Sequence, residues 1–299
     1  MTASPSRRYL RLLSIAGSDS GGGAGIQADL KTFAALGGYG MSAITAVTAQ
    51  NTLGVTAIHA VPPGIVAAQI AAVVGDIGVD AVKIGMLPSA ATVQAVAEAL
   101  RSSNPGAPIV LDPVLLASSG DRLVAPDTVT AMLRELFPLA TLVTPNLDEA
   151  ALLLGRAIAG ADEMESAAVD LLALGAPAVL LKGGHLQGEV VTDVLAGADG
   201  TRLAFSAPRL ASRNLHGTGC TLSSAIAAGL ALGRTLPDAV AQARDFLRQA
   251  IAAGADVRTG QGAGPLNHGH APIAMQLRPA APDAATASST AAGSSRRRP

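Results

Sequence analysis

The sequence predicts an α/β fold, a mostly parallel central sheet with one antiparallel edge. Three observations predict it. Short runs such as "PIVLD" and "AVLLK" are apolar throughout, as strands covered on both faces are. Ala/Leu-rich stretches of helical length separate them, the alternation that builds parallel βαβ units. One pair of runs, in "EVVTDVLAGADGTRLAFSAPRL", is joined by Ala-Asp-Gly, a hairpin signal, and supplies the antiparallel edge.

In chain order the alternation places strands at 10–16, 41–48, 55–61, 81–84, 109–112, 142–144, 178–182, 190–195 and 202–206. Helices fall at 24–36, 64–75, 90–102, 126–137, 147–154, 164–174, 219–232 and 236–254. Residues 1–9 read as a flexible lead, 10–275 as the folded unit, and 276–299 as a disordered tail. Residues 1–11 carry three arginines but no uninterrupted apolar stretch after them, so the start does not read as a signal peptide. The tail, "RPAAPDAATASSTAAGSSRRRP", has too little apolar surface to order itself.

Composition narrows the function. The 299 residues hold one cysteine, which excludes an internal disulfide and a multi-cysteine zinc site and suits a reducing, cytoplasmic compartment. A net charge of −1 argues against a nucleic-acid partner held by phosphate neutralisation. Aromatic residues make up 2%, too few for base stacking. Apolar runs are broken well before the ~18 residues of a spanning helix, so no membrane partner is expected.

Polar motifs fall at the expected carboxyl ends of strands, where such sheets bind ligands. "AGSDSGGGAGIQADLKTF" runs from a strand through Gly21, Gly22, Gly23 and Gly25 into a helix. It is either an ordinary connection or a loop that lets a ligand approach backbone closely. In "LVTPNLDEA", Asn146 and Glu149 have the spacing of a capping box, the reading the local sequence favours; the alternative is that Glu149 faces the strand ends and holds Mg2+ through water. "LLKGGH" delivers Lys182 to the end of a buried strand, where it needs an anionic partner, either a polyphosphate or a carboxylate. Asp112 ends "IVLD" before Pro113 and is either a metal-side carboxylate or a turn former. "NLHGTGCTLSSAIAAGLALG" opens a long apolar helix on Gly-Thr-Gly. Successive amides at Gly217, Thr218, Gly219 and Cys220 form an anion-binding nest. Cys220 in that first turn is expected to have a lowered pKa, with a buried structural cysteine as the alternative. Together these parts make a phosphoryl-transfer set, whose catalysis is mostly positioning and charge stabilisation.

The ordered set "AGSDSGGGAGIQADLKTF", "TAVTAQNTLGV", "KIGML", "VLDPV", "TPNLDEA", "LLKGGH", "HGTGCTLSSAIAAGLALG" and "GPLNHGHA" resembles the ribokinase-like superfamily. It is most similar to the hydroxymethylpyrimidine/phosphomethylpyrimidine kinases of thiamine biosynthesis, over about residues 12–270. The resemblance implies a three-layer α/β/α fold and ATP-dependent phosphorylation of a pyrimidine alcohol, then of its monophosphate, with Mg2+. A pyridoxal kinase on the same fold is the alternative. It implies that Gly17, Asp29, Gln50, Met86 and Val114 form the pyrimidine pocket. It further implies Asp112 and Glu149 on the magnesium side, and Lys182, Asn146 and Thr218 at ATP. The 217–220 turn would be the anion hole, with Cys220 as base or lining, and the assembly a homodimer. Where the family usually reads Asp-Pro-Ser-Gly-Gly, this chain has Asp19, Ser20 and Gly21, which predicts a looser loop. Residues 21–25 and 117–121 are the lid candidates.

Overall fold

Neighbouring residues in one strand point to opposite faces of a sheet, so a fully apolar strand needs cover on both sides. A computed structural model, which describes residues 7–103, 106–116 and 124–280, has that arrangement. The chain runs through β1 (Arg7–Tyr9), β2 (Arg11–Ala16), α1 (Gly25–Ala35), β3 (Tyr39–Ile44), β4 (Ala46–Asn51), β5 (Gly54–Ala60) and α2 (Pro63–Asp76). It continues through β6 (Ala81–Ile84), α3 (Ala90–Ser103), β7 (Ile109–Leu111), α4 (Pro126–Glu135), β8 (Leu142–Val143), α5 (Leu147–Leu154) and α6 (Met164–Leu172). Then come β9 (Ala178–Leu181), β10 (Val190–Gly197), β11 (Arg202–Pro208), α7 (Thr218–Ala231), α8 (Leu236–Gly254) and β12 (Leu277–Pro279).

Eight strands form the main sheet in the order β11-β10-β9-β8-β7-β6-β2-β3. Strands β9, β8, β7, β6, β2 and β3 are mutually parallel, and β10 and β11 add the expected antiparallel edge. The alternation inside each strand sorts the core. Leu13, Ile15, Ile109, Leu111, Val179 and Leu181 join one apolar cluster with α2, α3, α4 and α6. Leu12, Val110 and Leu180 join the opposite one with α1, α7 and α8. The sheet is therefore the middle of three layers.

Three expectations need correction. The single strand read at 41–48 is two, β3 and β4, because the chain leaves the main sheet at buried Thr45. There the Thr45 amide donates to Ala16 O at 2.9 Å and its hydroxyl to Met86 O at 2.7 Å. Among the described residues strand β5 pairs only with β4, as a separate antiparallel hairpin. Residues 7–9 and 277–279, read as lead and tail, pair antiparallel as β1 and β12. Their backbone hydrogen bonds are satisfied between segments that local sequence cannot connect. Residues 1–6, the tail from 281 and the lid candidate 117–121 lie outside the described residues. Among the described residues no helix is long and apolar enough to cross a membrane.

Candidate active site

Parallel strands in register end together. Ile15 pairs with Ile84, Ile84 with Leu111, Leu111 with Val143, and Val143 with Val179. The residues just past those ends, Gly17, Met86, Asp112, Asn146 and Lys182, therefore share one rim.

At its centre Lys182 Nζ donates to Asp112 Oδ1 at 2.8 Å, and Thr144 Oγ1 donates to the same oxygen at 3.1 Å. The pair is largely buried. Burial pushes the Lys182 ammonium pKa down, but Asp112 and Glu149 outweigh it and leave it raised. Both open readings of Lys182 are compatible here: its resting partner is a carboxylate, and it stays charged for a phosphate.

Helix α5 starts beside this pair. Asn146 Oδ1 accepts the Glu149 amide at 2.9 Å, and the Asn146 amide donates to Glu149 Oε2 at 2.8 Å, completing the capping box. The cap places Glu149 in the interior, 3% exposed. Burial, then Asp112, push its pKa up to about 7, against Lys182 and the amides of Asn146 and Leu115. A hard cation takes oxygen ligands and keeps several waters. Two carboxylates already committed to Lys182 and to an amide suit magnesium held through water. Among the described residues no cluster of three or more His, Cys, Asp or Glu could hold a metal by itself, so the remaining ligands would be water and phosphate oxygens.

The start of α7 closes over the same pair. A Cβ at Gly219 would lie 3.2 Å from Lys182 Nζ and 3.3 Å from Asp112 Oδ2. Gly217 caps the helix at φ +88°, and a Cβ there would strike Gly23 O at 1.9 Å. Only glycine fits, and the contact joins the nest to the first glycine loop. The nest is narrower than expected, since the Thr218 amide already donates to Leu215 O at 3.3 Å. The first-turn amides of Gly219 and Cys220 have no helical acceptor.

Cys220 overturns one expectation. Its thiol pKa is not lowered but pushed up to about 11 by burial, with Lys83 pulling it down and Asp29 and Asp112 pushing it up further. Desolvation costs the thiolate more than the helix dipole and the lysine return. Asp29 is fully buried. Lys83 Nζ donates to it at 2.9 Å, Ser14 Oγ at 2.5 Å and Ser224 Oγ at 2.8 Å. A buried carboxylate needs such partners; Oδ2 has two and Oδ1 one, which leaves one lone pair of Oδ1 for a ligand.

Gly17 and Met86 do meet: a Cβ at Gly17 would lie 2.8 Å from Met86 Cε. Gln50, on β4, reaches the loop through its neighbours Thr48 and His216. Val114 follows Asp112 in a tight turn, its amide donating to Asp112 O at 2.8 Å. The loop itself is not loose. Asp19 accepts the amides of Gly21 at 2.8 Å, Gly23 at 3.0 Å and Ala24 at 2.9 Å. Burial pushes the Asp19 pKa up, but the hydrogen bond from His216 and the amides of Ala24 and Gly21 outweigh it and leave it lowered. Sequence reading missed Asp19, Lys83 and His216 as site residues. The lysine inside the apolar run "AVKIGM" was the available signal, because a charge there demands a partner.

The family described as phosphomethylpyrimidine kinase matches residues 19–267, from the first glycine loop through α8. The chain belongs to that family. A hydroxymethylpyrimidine/phosphomethylpyrimidine kinase from Rhizobium meliloti is 56% identical over 259 residues, 86% of this chain and 96% of that protein. The crystal structure of a phosphomethylpyrimidine kinase from Clostridium difficile is 44% identical, with a TM-score of 0.70 over 80% of this chain and 98% of that one. An ADP complex of Bacillus subtilis pyridoxal kinase is 36% identical, with a TM-score of 0.80 over 87% and 98%. This member of the phosphomethylpyrimidine kinase family is thus a kinase with the ribokinase-like fold.

Proposed function

We propose that the chain phosphorylates 4-amino-5-hydroxymethyl-2-methylpyrimidine with ATP and Mg2+, first to the monophosphate and then to the diphosphate. One observation carries the reading. The phosphate side (Asp112, Lys182, Gly219) and the ring side (Gly17, Met86, Gln50) are joined through the Gly23–Gly217 contact. ATP with magnesium supplies the phosphoryl group. Lys182 offsets phosphate charge, and the Gly219 and Cys220 amides face the anion. Asp112 and Glu149 would hold the ion through water. Asn146 and Thr218 lie where the nucleotide phosphates approach. Cys220 lines the hole as a neutral thiol. Purified protein given ATP, Mg2+ and the pyrimidine alcohol is expected to yield both phosphates, read by chromatography. Neither product forming would refute the proposal.

Pyridoxal phosphorylation is the second reading, favoured by the TM-score of 0.80 to the pyridoxal kinase. Competition of the two alcohols for limiting ATP decides between them. A larger kcat/KM for pyridoxal would reverse the order. A homodimer fits the β4–β5 hairpin, whose Val47, Val55 and Ile58 are exposed, as is Ile65 of α2. Light scattering at twice the chain mass is the expected result. A cytoplasmic setting suits the lone, reduced thiol.

A further inference from the structure

The Gln50 side chain ends in two atoms with different neighbours. One lies 3.3 Å from Thr48 Oγ1, the other 3.4 Å from His216 Nε2. The oxygen and nitrogen of an amide are told apart only by the partners around them. Here the partners decide. Asp19 accepts three backbone amides and is an ionised carboxylate. Its Oδ2 lies 2.9 Å from His216 Nε2. A carboxylate has no hydrogen to give, so Nε2 carries one whether the ring is neutral or charged. A ring N–H cannot accept, so the Gln50 atom beside it, at 3.4 Å, is the amide oxygen, which shares the one hydrogen that Nε2 directs mainly to Asp19 Oδ2 at 2.9 Å. Thr48 returns the same answer from the other end. Its one hydroxyl hydrogen goes to Ser18 O at 2.8 Å. Only lone pairs are left for Gln50, so the atom there is the amide nitrogen.

We infer that His216 and Thr48, with Asp19 behind the histidine, lock the Gln50 amide in one orientation. The lock makes Gln50 a reader of one hydrogen-bonding edge of a heterocycle. His216 is itself well held: its amide donates to Gly264 O at 3.2 Å, and its Cδ2 lies 2.5 Å from where a Gly23 Cβ would be. A locked amide offers its second N–H and its free oxygen lone pair in a fixed order. A pyrimidine with a 4-amino group beside N3 and one with a 4-oxo group beside N3–H present opposite orders. The locked amide takes the amino ring and rejects the oxo ring, because the mismatch leaves polar groups unpaired. An amide freed to turn over accepts both. His216 and Thr48 are positioning residues that set specificity, and the inference rests on Gln50 as a ring contact.

The test measures binding by calorimetry and kcat/KM with ATP and Mg2+ for the 4-amino and the 4-oxo alcohols. The wild type is expected to favour the amino compound by at least about a hundredfold. His216→Leu removes the donor and should cut that ratio at least about tenfold, with KM for the amino compound rising more than kcat falls. His216→Gln, which keeps an N–H, should retain the ratio. Thr48→Val should relax selectivity from the other end, and Thr48→Ser should restore it, so the test survives if a histidine variant fails to fold. Activity lost equally toward both rings, with the ratio unchanged, overturns the lock alone. A wild type that binds neither ring overturns the Gln50 reading and the lock with it.

Discussion

At Cys220 two physical effects oppose each other and burial wins. A half-buried thiol with a pKa near 11 is protonated at neutral pH, in spite of Lys83 beneath it and the helix start above. The side chain therefore serves better as a lining of the anion hole than as a standing base. Cys220→Ala should lower kcat by about ten- to a hundredfold and raise KM less, as expected for a group felt mainly in the transition state. Cys220→Ser should stay within about tenfold of the wild type, because a hydroxyl fills the place. An unchanged kcat in the alanine variant would reduce Cys220 to packing. Alkylation of the unliganded protein offers a separate check. Its rate should still climb with pH beyond pH 9, and a plateau by pH 8 would mean a low-pKa thiolate.

At the scale of elements, α5 shows how a cap and a site share residues. Asn146 ties down the first turn of the helix and stands at the end of β8, paired with Lys182 across the rim. Asn146→Ala should cost about 1 kcal/mol in urea unfolding and raise KM for ATP. Asn146→Asp keeps the cap and should spare stability, yet its charge should still raise KM for ATP. If both variants leave KM untouched, the residue is only a cap. Elements such as α5, α8 and β6 were legible to the residue, because caps at Asn146 and Thr235 or a bounded apolar run mark them locally. Lys182, Asp112, Gly217 and Gly219 were legible for a related reason: each ends a strand or starts a helix. The break between β3 and β4 was not legible, since a two-residue period says strand without naming the partner. Nor were the roles of Asp19 and Lys83. Their partners His216 and Asp29 lie 197 and 54 positions away in the chain, and only the closed sheet brings them together.

For the whole molecule, buried titratable groups decide how stability follows pH. His268 is buried against α7, with Nε2 2.9 Å from Thr221 Oγ1. Burial, then Lys31, push its pKa down to about 4, outweighing a backbone bond at Leu266. The unfolded chain takes up this proton near pH 6.5, the folded one only near 4. Its stabilisation is therefore complete above about pH 6.5 and is lost as pH falls towards 4. Glu149 runs the other way. Its raised folded pKa, about 7, makes its contribution fullest below the ordinary carboxyl value and lost as pH rises through 7. The two slopes oppose each other between about pH 4.5 and 6.5, so the wild type should show a shallow profile there. His268→Gln removes one slope and exposes the other. From pH 7.5 to 4.5 the variant's stability relative to the wild type should rise by about 2–3 kcal/mol, read from urea midpoints. Parallel curves would mean that His268 titrates alike in both states, and that burial against α7 does not hold it neutral.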